Sequence, residues 1–196
     1  PNPIFIDLEN GLNYLDVTKT PLLDNSSDVM GIITSLIKDE HEYETVVVDS
    51  IDWLEDICAT EIAKAHEATS IADPKCKALG YGAGYRMLKD KIARILSGLD
   101  LLRDQRGMNV ILIAHSAVRI VDSDPIDDAF QTHELKLNKQ VGAKVKEWAD
   151  IIMFGRNKKY TAENKTFDGG RVLLASKNAA FAGGGRVEIE KEMELN

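Results

Sequence analysis

Thr45-Val46-Val47-Val48-Asp49-Ser50 decides the fold of this chain. An apolar run that stops abruptly at an acid is how a buried parallel strand reads when its C-terminal tip carries a site. Two other segments have the same form: Pro3-Ile4-Phe5-Ile6-Asp7-Leu8-Glu9, ending in an acid, and Asn109-Val110-Ile111-Leu112-Ile113-Ala114-His115, ending in histidine. Between them the spacing changes to that of helices. After the helix-starting Ser26-Ser27-Asp28, apolar residues recur at Val29, Ile32, Ile33, Leu36 and Ile37. A second helix is predicted from Asp52 to Ala68, with Trp53, Leu54, Ile57, Ile62 and Ala65 as its stripe. A third runs from Tyr85 to Asp104 on Leu88, Ile92, Ile95, Leu96, Leu99 and Leu102, and Gly107 ends it. Strand–helix–strand–helix–strand predicts an α/β fold with a parallel sheet and right-handed crossovers.

The segments around this frame are less regular. Thr69 to Gly84 reads as an irregular connection with Pro74 and Gly80-Tyr81-Gly82-Ala83-Gly84. Val121 to His133 is polar and Asp-rich and reads as a mobile loop; Leu135 to Asp150 reads as partly helical. Ile151–Phe154 and Arg171–Ser176 are predicted strands, with a hairpin loop at Asn164–Gly170. Gly183-Gly184-Gly185 reads as a flexible turn before a last strand, Arg186–Glu190. Without an internal repeat or a linker, residues 1–196 read as a single domain.

Composition narrows the function classes. The chain has 196 residues, 44% hydrophobic and 29% charged, enough for a sizeable core. No apolar run approaches the roughly 20 residues that span a bilayer, and Pro1 to Glu9 does not read as a secretory leader, so a cytoplasmic protein without membrane partners is expected. Cys58 and Cys76 read as two reduced thiols rather than a disulfide framework. A net charge of −8 argues against a surface that coats nucleic acid. The positive charge is nevertheless clustered, with Lys136, Lys139, Lys144 and Lys146 close together.

Several residue types suit nucleotide chemistry. Asp49 at a strand tip can orient water on Mg²⁺, with Ser50 as a nearby hydrogen-bonding group; an ordinary helix-capping Asp is the competing reading. Glu9 can orient or deprotonate an attacking water, or can simply be a solvated loop acid beside Asn10-Gly11. His115 can donate a hydrogen bond to a γ-phosphate, or can be a polar strand end. Lys177 follows a predicted strand and can reach a phosphate, in its own or a neighbouring subunit, or can be a turn lysine. The four clustered lysines can track a nucleic-acid backbone or form the solvated face of a helix. Tyr81 and Tyr85 can stack on bases, with packing within the loop the preferred alternative. The histidines His41, His66, His115 and His133 lack metal-ligand spacing.

In this order the segments resemble phage-encoded RecA-like ATPases, AAA-type nucleotide-binding proteins linked to single-strand annealing recombination. Ile4–Leu12 is similar to the segment after that family's first helix, and Thr45–Ser50 with Asp52-Trp53-Leu54 to its Walker B strand and helix. Gly80–Tyr85 is similar to its glycine–tyrosine loop, Asn109–Ser116 to its sensor strand, and Leu135-Lys136-Leu137 and Glu147–Asp150 to its later landmarks. The resemblance covers roughly residues 1–178. It implies a RecA-like P-loop NTPase core, with a mostly parallel sheet flanked by helices and a C-terminal β-hairpin region. It also implies ATP and Mg²⁺, with Asp49 for the metal, Glu9 as the catalytic carboxylate and His115 as the γ-phosphate sensor. Lys177 falls where the wider group places a basic residue acting across subunits. The resemblance further implies a ring or filament with nucleotide between subunits, and handling of single-stranded DNA through the segment Val121 to Lys146.

Two departures stand beside it. G-x-x-x-x-G-K-[ST] does not occur in residues 1–196, and the resemblance places that loop upstream of Pro1. Ala179 to Gly185 is small and glycine-rich where the family has a basic stretch. The expected function is ATP hydrolysis in DNA recombination or replication, in the cytoplasm of a bacterial host of a phage or prophage. Two alternatives remain at this point: a non-catalytic RecA-fold assembly module, and a helicase-like DNA motor.

Overall fold

The computed structural model describes residues 2–121, 130–162, 165–175, 181, 183–186 and 190–195. Strands β1 (Pro3–Asp7), β2 (Thr45–Asp49) and β3 (Asn109–Ile113) form a parallel sheet with β2 in the middle. All five β2 residues are buried, which is why this strand reads as an unbroken apolar run. The register is level: Asp7 lies opposite Asp49, and Asp49 opposite Ile113. The three strand tips therefore end side by side.

Helices α1 (Ser26–Lys38), α2 (Ile51–Ala65) and α3 (Ala83–Arg106) supply the rest of this core. Asn25 caps α1 by accepting the Asp28 N–H. α3 packs against α1, α2 and β3, and its six predicted core positions are all buried. It meets α1 so closely at Gly98 that a Cβ there would lie 3.2 Å from Ile33 Cγ2. Gly107, in the left-handed region at φ 64°, ends α3. A 3₁₀ turn (Lys77–Leu79) lies in the connection before α3. That connection touches α3 at Gly84, where a Cβ would come within 2.0 Å of the Ile71 carbonyl oxygen.

The predicted α2 stripe is shifted. Trp53 is exposed, and the buried face instead carries Ile51, Asp52, Leu54, Glu55, Cys58, Ile62 and Ala63. Two acids occupy inward positions because each has hydrogen-bond donors there, described below. Tyr81 also departs from expectation: its side chain stands fully exposed at φ 50° instead of packing within its loop.

The chain divides into two compact units, Pro1–His115 with Lys136–Lys144, and Ser116–Leu135 with Val145–Asn196. The second is built on antiparallel pairing. β4 (Ser116–Val121) pairs with β5 (Phe130–Leu135), so the segment read as a loop ends in a strand. Helix α4 (Lys139–Trp148) spans the division between the units. β6 (Ile151–Ile152) pairs with β9 (Gly184–Gly185), which makes part of the expected glycine turn a strand. β7 (Phe154–Ala162), β8 (Lys165–Leu174) and β10 (Glu192–Leu195) form a second antiparallel sheet in the order β10-β8-β7. The predicted hairpin loop Asn164–Gly170 is thus mostly strand, because β8 begins at Lys165. Val172, Leu174 and Phe181 form a small core, with Phe154 stacked on Phe181 at 5.1 Å. Residues 187–189, within the last predicted strand, lie outside the described residues. No helix among the described residues is long and apolar enough to cross a membrane.

Candidate active site

The level register puts acids together at the tips of β1 and β2. Glu9 is not the last residue of its strand, as the sequence suggested; β1 closes at Asp7. The Asp7 carboxylate accepts the Asn10 N–H at 2.8 Å, Asn10 adopts φ 61°, and the chain turns. Leu8 N–H still donates to the Asp49 carbonyl at 2.8 Å, which holds the turn against β2. Glu9 is thereby folded back over the β2 tip. The Ser50 hydroxyl donates to Glu9 Oε2 at 3.1 Å. Gly11 leaves the room, since a Cβ there would approach Glu9 Oε1 to 3.2 Å.

His115, two residues past β3, reaches the same place. Its Nδ1 lies 3.9 Å from Glu9 Oε2 and 3.0 Å from Asp52 Oδ2. Glu9, Asp49, Ser50 and His115, the four residues expected from sequence to serve nucleotide chemistry in this unit, thus converge at the C-terminal ends of three adjacent parallel strands, where α/β sheets bind ligands. The peptide joining Asp49 to Ser50 is cis.

The electrostatics separate the acids by role. Asp7 is buried, but Lys19 donates to it at 2.8 Å and also to Asn13, so its charge is matched and serves to fasten the loop over β1. Among the described residues Asp49 has no such ion-pair partner. Burial pushes its carboxyl above the usual range, and the charges of Glu9 and Asp7 push it further, against the pull of His115. Asp52 goes the other way: burial opposes its charge, yet hydrogen bonds from the His115 backbone and the His115 ring hold it low.

Among the described residues no group of three or more His, Cys, Asp or Glu side chains is arranged to hold a metal ion. A lone, charge-crowded strand-end carboxylate nevertheless fits Mg²⁺, which is held through one or two carboxylates with waters and phosphates completing its shell. Asp49 is the residue that fits.

The remaining expected residues are spread. Lys136 stands 3.8 Å from Asp52 Oδ2, and Lys146 donates to Glu134 at 2.7 Å. Lys139 and Lys144 are exposed. Leu137, Val141 and Val145 are the buried side chains of this stretch. Lys177 lies outside the described residues.

Sequence reasoning missed Asp52 and Glu55. Asp52 accepts from the His115 backbone N–H at 3.1 Å as well as from the ring. Both Glu55 oxygens accept the Asn138 N–H, at 2.8 and 2.9 Å. The one available signal was their i, i+3 spacing on a face of α2 otherwise apolar.

The AAA domain family matches residues 1–187. This chain belongs to that family. AAA domains bind ATP with Mg²⁺, so membership points this AAA domain to nucleotide binding and ATPase activity. No curated protein matches the chain significantly.

Proposed function

We propose that this AAA domain hydrolyses ATP at the tips of β1, β2 and β3. The observation that carries the reading is the meeting of Glu9, Ser50, Asp49 and His115 at one edge of the parallel sheet. Glu9 orients a water for in-line attack on the γ-phosphorus and takes its proton as the bond to the β–γ bridging oxygen breaks. The Ser50 hydroxyl holds the Glu9 carboxylate in place. His115 faces the γ-phosphate as its sensor. Asp49 would hold Mg²⁺, which when bound would supply charge neutralisation to the phosphates.

The finer assignment is to a phage or prophage protein of DNA recombination or replication, of the single-strand annealing type. It assembles as a ring or filament with nucleotide between subunits, Lys177 acting across the interface. Single-stranded DNA would lie along Lys136, Lys139, Lys144 and Lys146. Its support is the resemblance of the ordered sequence landmarks, together with the exposure of Lys139 and Lys144.

Calorimetric titration of ATP with Mg²⁺ tests the reading, on the 196-residue chain and on the chain extended by whatever its reading frame encodes upstream. Binding in either, abolished by Asp49→Ala, is the expected result. Hydrolysis by the form that binds should fall about 100-fold or more in Glu9→Gln while ATP affinity stays within a few-fold. Binding in neither form, or full ATPase activity in Asp49→Ala, overturns the assignment and leaves an assembly module.

A further inference from the structure

His115 has two carboxylates within reach, and distance decides between them. Glu9 Oε2, at 3.9 Å from Nδ1, is too far for a hydrogen bond, whereas Asp52 Oδ2 is at 3.0 Å. Asp52 holds the residue twice. Oδ1 accepts the His115 backbone N–H at 3.1 Å and so fixes where the residue sits, while Oδ2 meets the ring and fixes how it is turned. The Asp52 side chain is only 4% exposed, so water competes little for these bonds. The Lys136 N–H donates to the His115 carbonyl at 2.8 Å, which pins the residue from its other side.

We infer that Asp52 is the positioning residue of His115, holding the neutral ring as its Nδ1–H tautomer so that Nε2 alone is offered to a ligand. The chemistry follows from the acceptor: an ionised carboxylate has no proton to give, so the ring nitrogen facing it must carry one. That Asp52 stays ionised agrees with its low carboxyl pKa. The inference deepens the ATPase reading, because a sensor facing the γ-phosphate would then meet it through Nε2. It rests on that reading only for the identity of the ligand.

The test needs no nucleotide. Two-bond ¹H–¹⁵N correlation spectra of the labelled 196-residue chain, with His115 assigned by His115→Gln, report which ring nitrogen carries the proton. The expected spectrum of the neutral ring is protonated Nδ1 and bare Nε2. Asp52→Asn should reverse it. The amide keeps Oδ1 on the backbone N–H and puts an NH₂ donor where Oδ2 was, so Nδ1 must accept and the proton moves to Nε2. A wild-type ring already protonated at Nε2 overturns the inference. So does an Asp52→Asn protein with native backbone amide shifts and an unchanged tautomer. If the variant does not fold, the wild-type spectrum decides alone. Failure of ATP binding with the tautomer as expected overturns the ATPase reading and leaves this inference standing.

Discussion

Replacing Asp49 by Asn is expected to make the protein more stable while removing the group proposed to hold Mg²⁺. Asp49 lies opposite Asp7 in the β1–β2 register, on the same face of the sheet. Paired strands are about 5 Å apart, and two unit charges at that separation repel by about 0.8 kcal/mol in water and roughly 3 kcal/mol at a half-buried site. Lys19, 2.8 Å from Asp7, cancels much of this, and Glu9 adds repulsion of its own. A net penalty of about 1 kcal/mol remains. Asn keeps the shape and removes the charge, so the melting temperature should rise by about 2–4 °C for a chain of this size. The pH dependence has a definite sign. A carboxyl whose folded pKa lies above its unfolded value weakens the fold where it is ionised, and that penalty disappears as pH falls through the raised value. The gap between variant and wild type should therefore close in acid. Thermal unfolding followed by circular dichroism, at neutral and acidic pH and with and without millimolar Mg²⁺, measures this; Mg²⁺ should narrow the gap by stabilising the wild type alone. An Asp49→Asn protein that melts below wild type at neutral pH would refute the reasoning.

Glu61 accepts from Lys91 at 2.7 Å and from the Ser26 N–H and hydroxyl at 2.8 and 2.6 Å. Burial opposes its charge, but these donors hold its carboxyl below the usual 4.5. Its stabilisation is complete above that value and lost as pH falls through the lowered one, so Glu61→Gln should cost about 2 kcal/mol at neutral pH and little in strong acid, as urea unfolding would register. Gly84→Ala puts a Cβ 2.0 Å from the Ile71 carbonyl oxygen and should cost about 2 kcal/mol by the same measurement. Gly31→Ala, exposed in the middle of α1 with nothing within 4 Å of the new Cβ, should instead gain about 0.5–1 kcal/mol.

The parallel sheet and α3 were legible because burial on both faces leaves a continuous apolar run, and a long helix repeats its stripe often enough to read. β2 begins and ends where its sequence pattern does, and the α3 core positions fall where the spacing puts them. Asp52 and Glu55 were illegible because their partners, His115 and Asn138, are 63 and 83 residues away, and no local pattern encodes a hydrogen bond across that distance. Asp7 and Glu9 look alike in sequence; Lys19 separates them, and only the folded loop places it on Asp7. The second unit was misread for another reason. β8 contains Asp168-Gly169-Gly170, residues that usually mark turns, but the glycines fall at a register shift between Lys159↔Asp168 and Asn157↔Arg171, where a strand takes up a bulge instead of turning back.

Asp52 and Glu55 also close a gate at the base of an excursion. The chain leaves the first unit after His115 and returns at Lys136, and α2 grips both ends, with the Lys136 N–H on the His115 carbonyl as the latch. Whatever runs between them starts from two stems already held together. Doubling the length of such a segment adds only about 0.6 kcal/mol of closure entropy. The ends of the stretch Ser116–Leu135 are therefore fixed from within the first unit, while its own strands pack within the second, where the His133 ring lies 5.0 Å from that of Phe154.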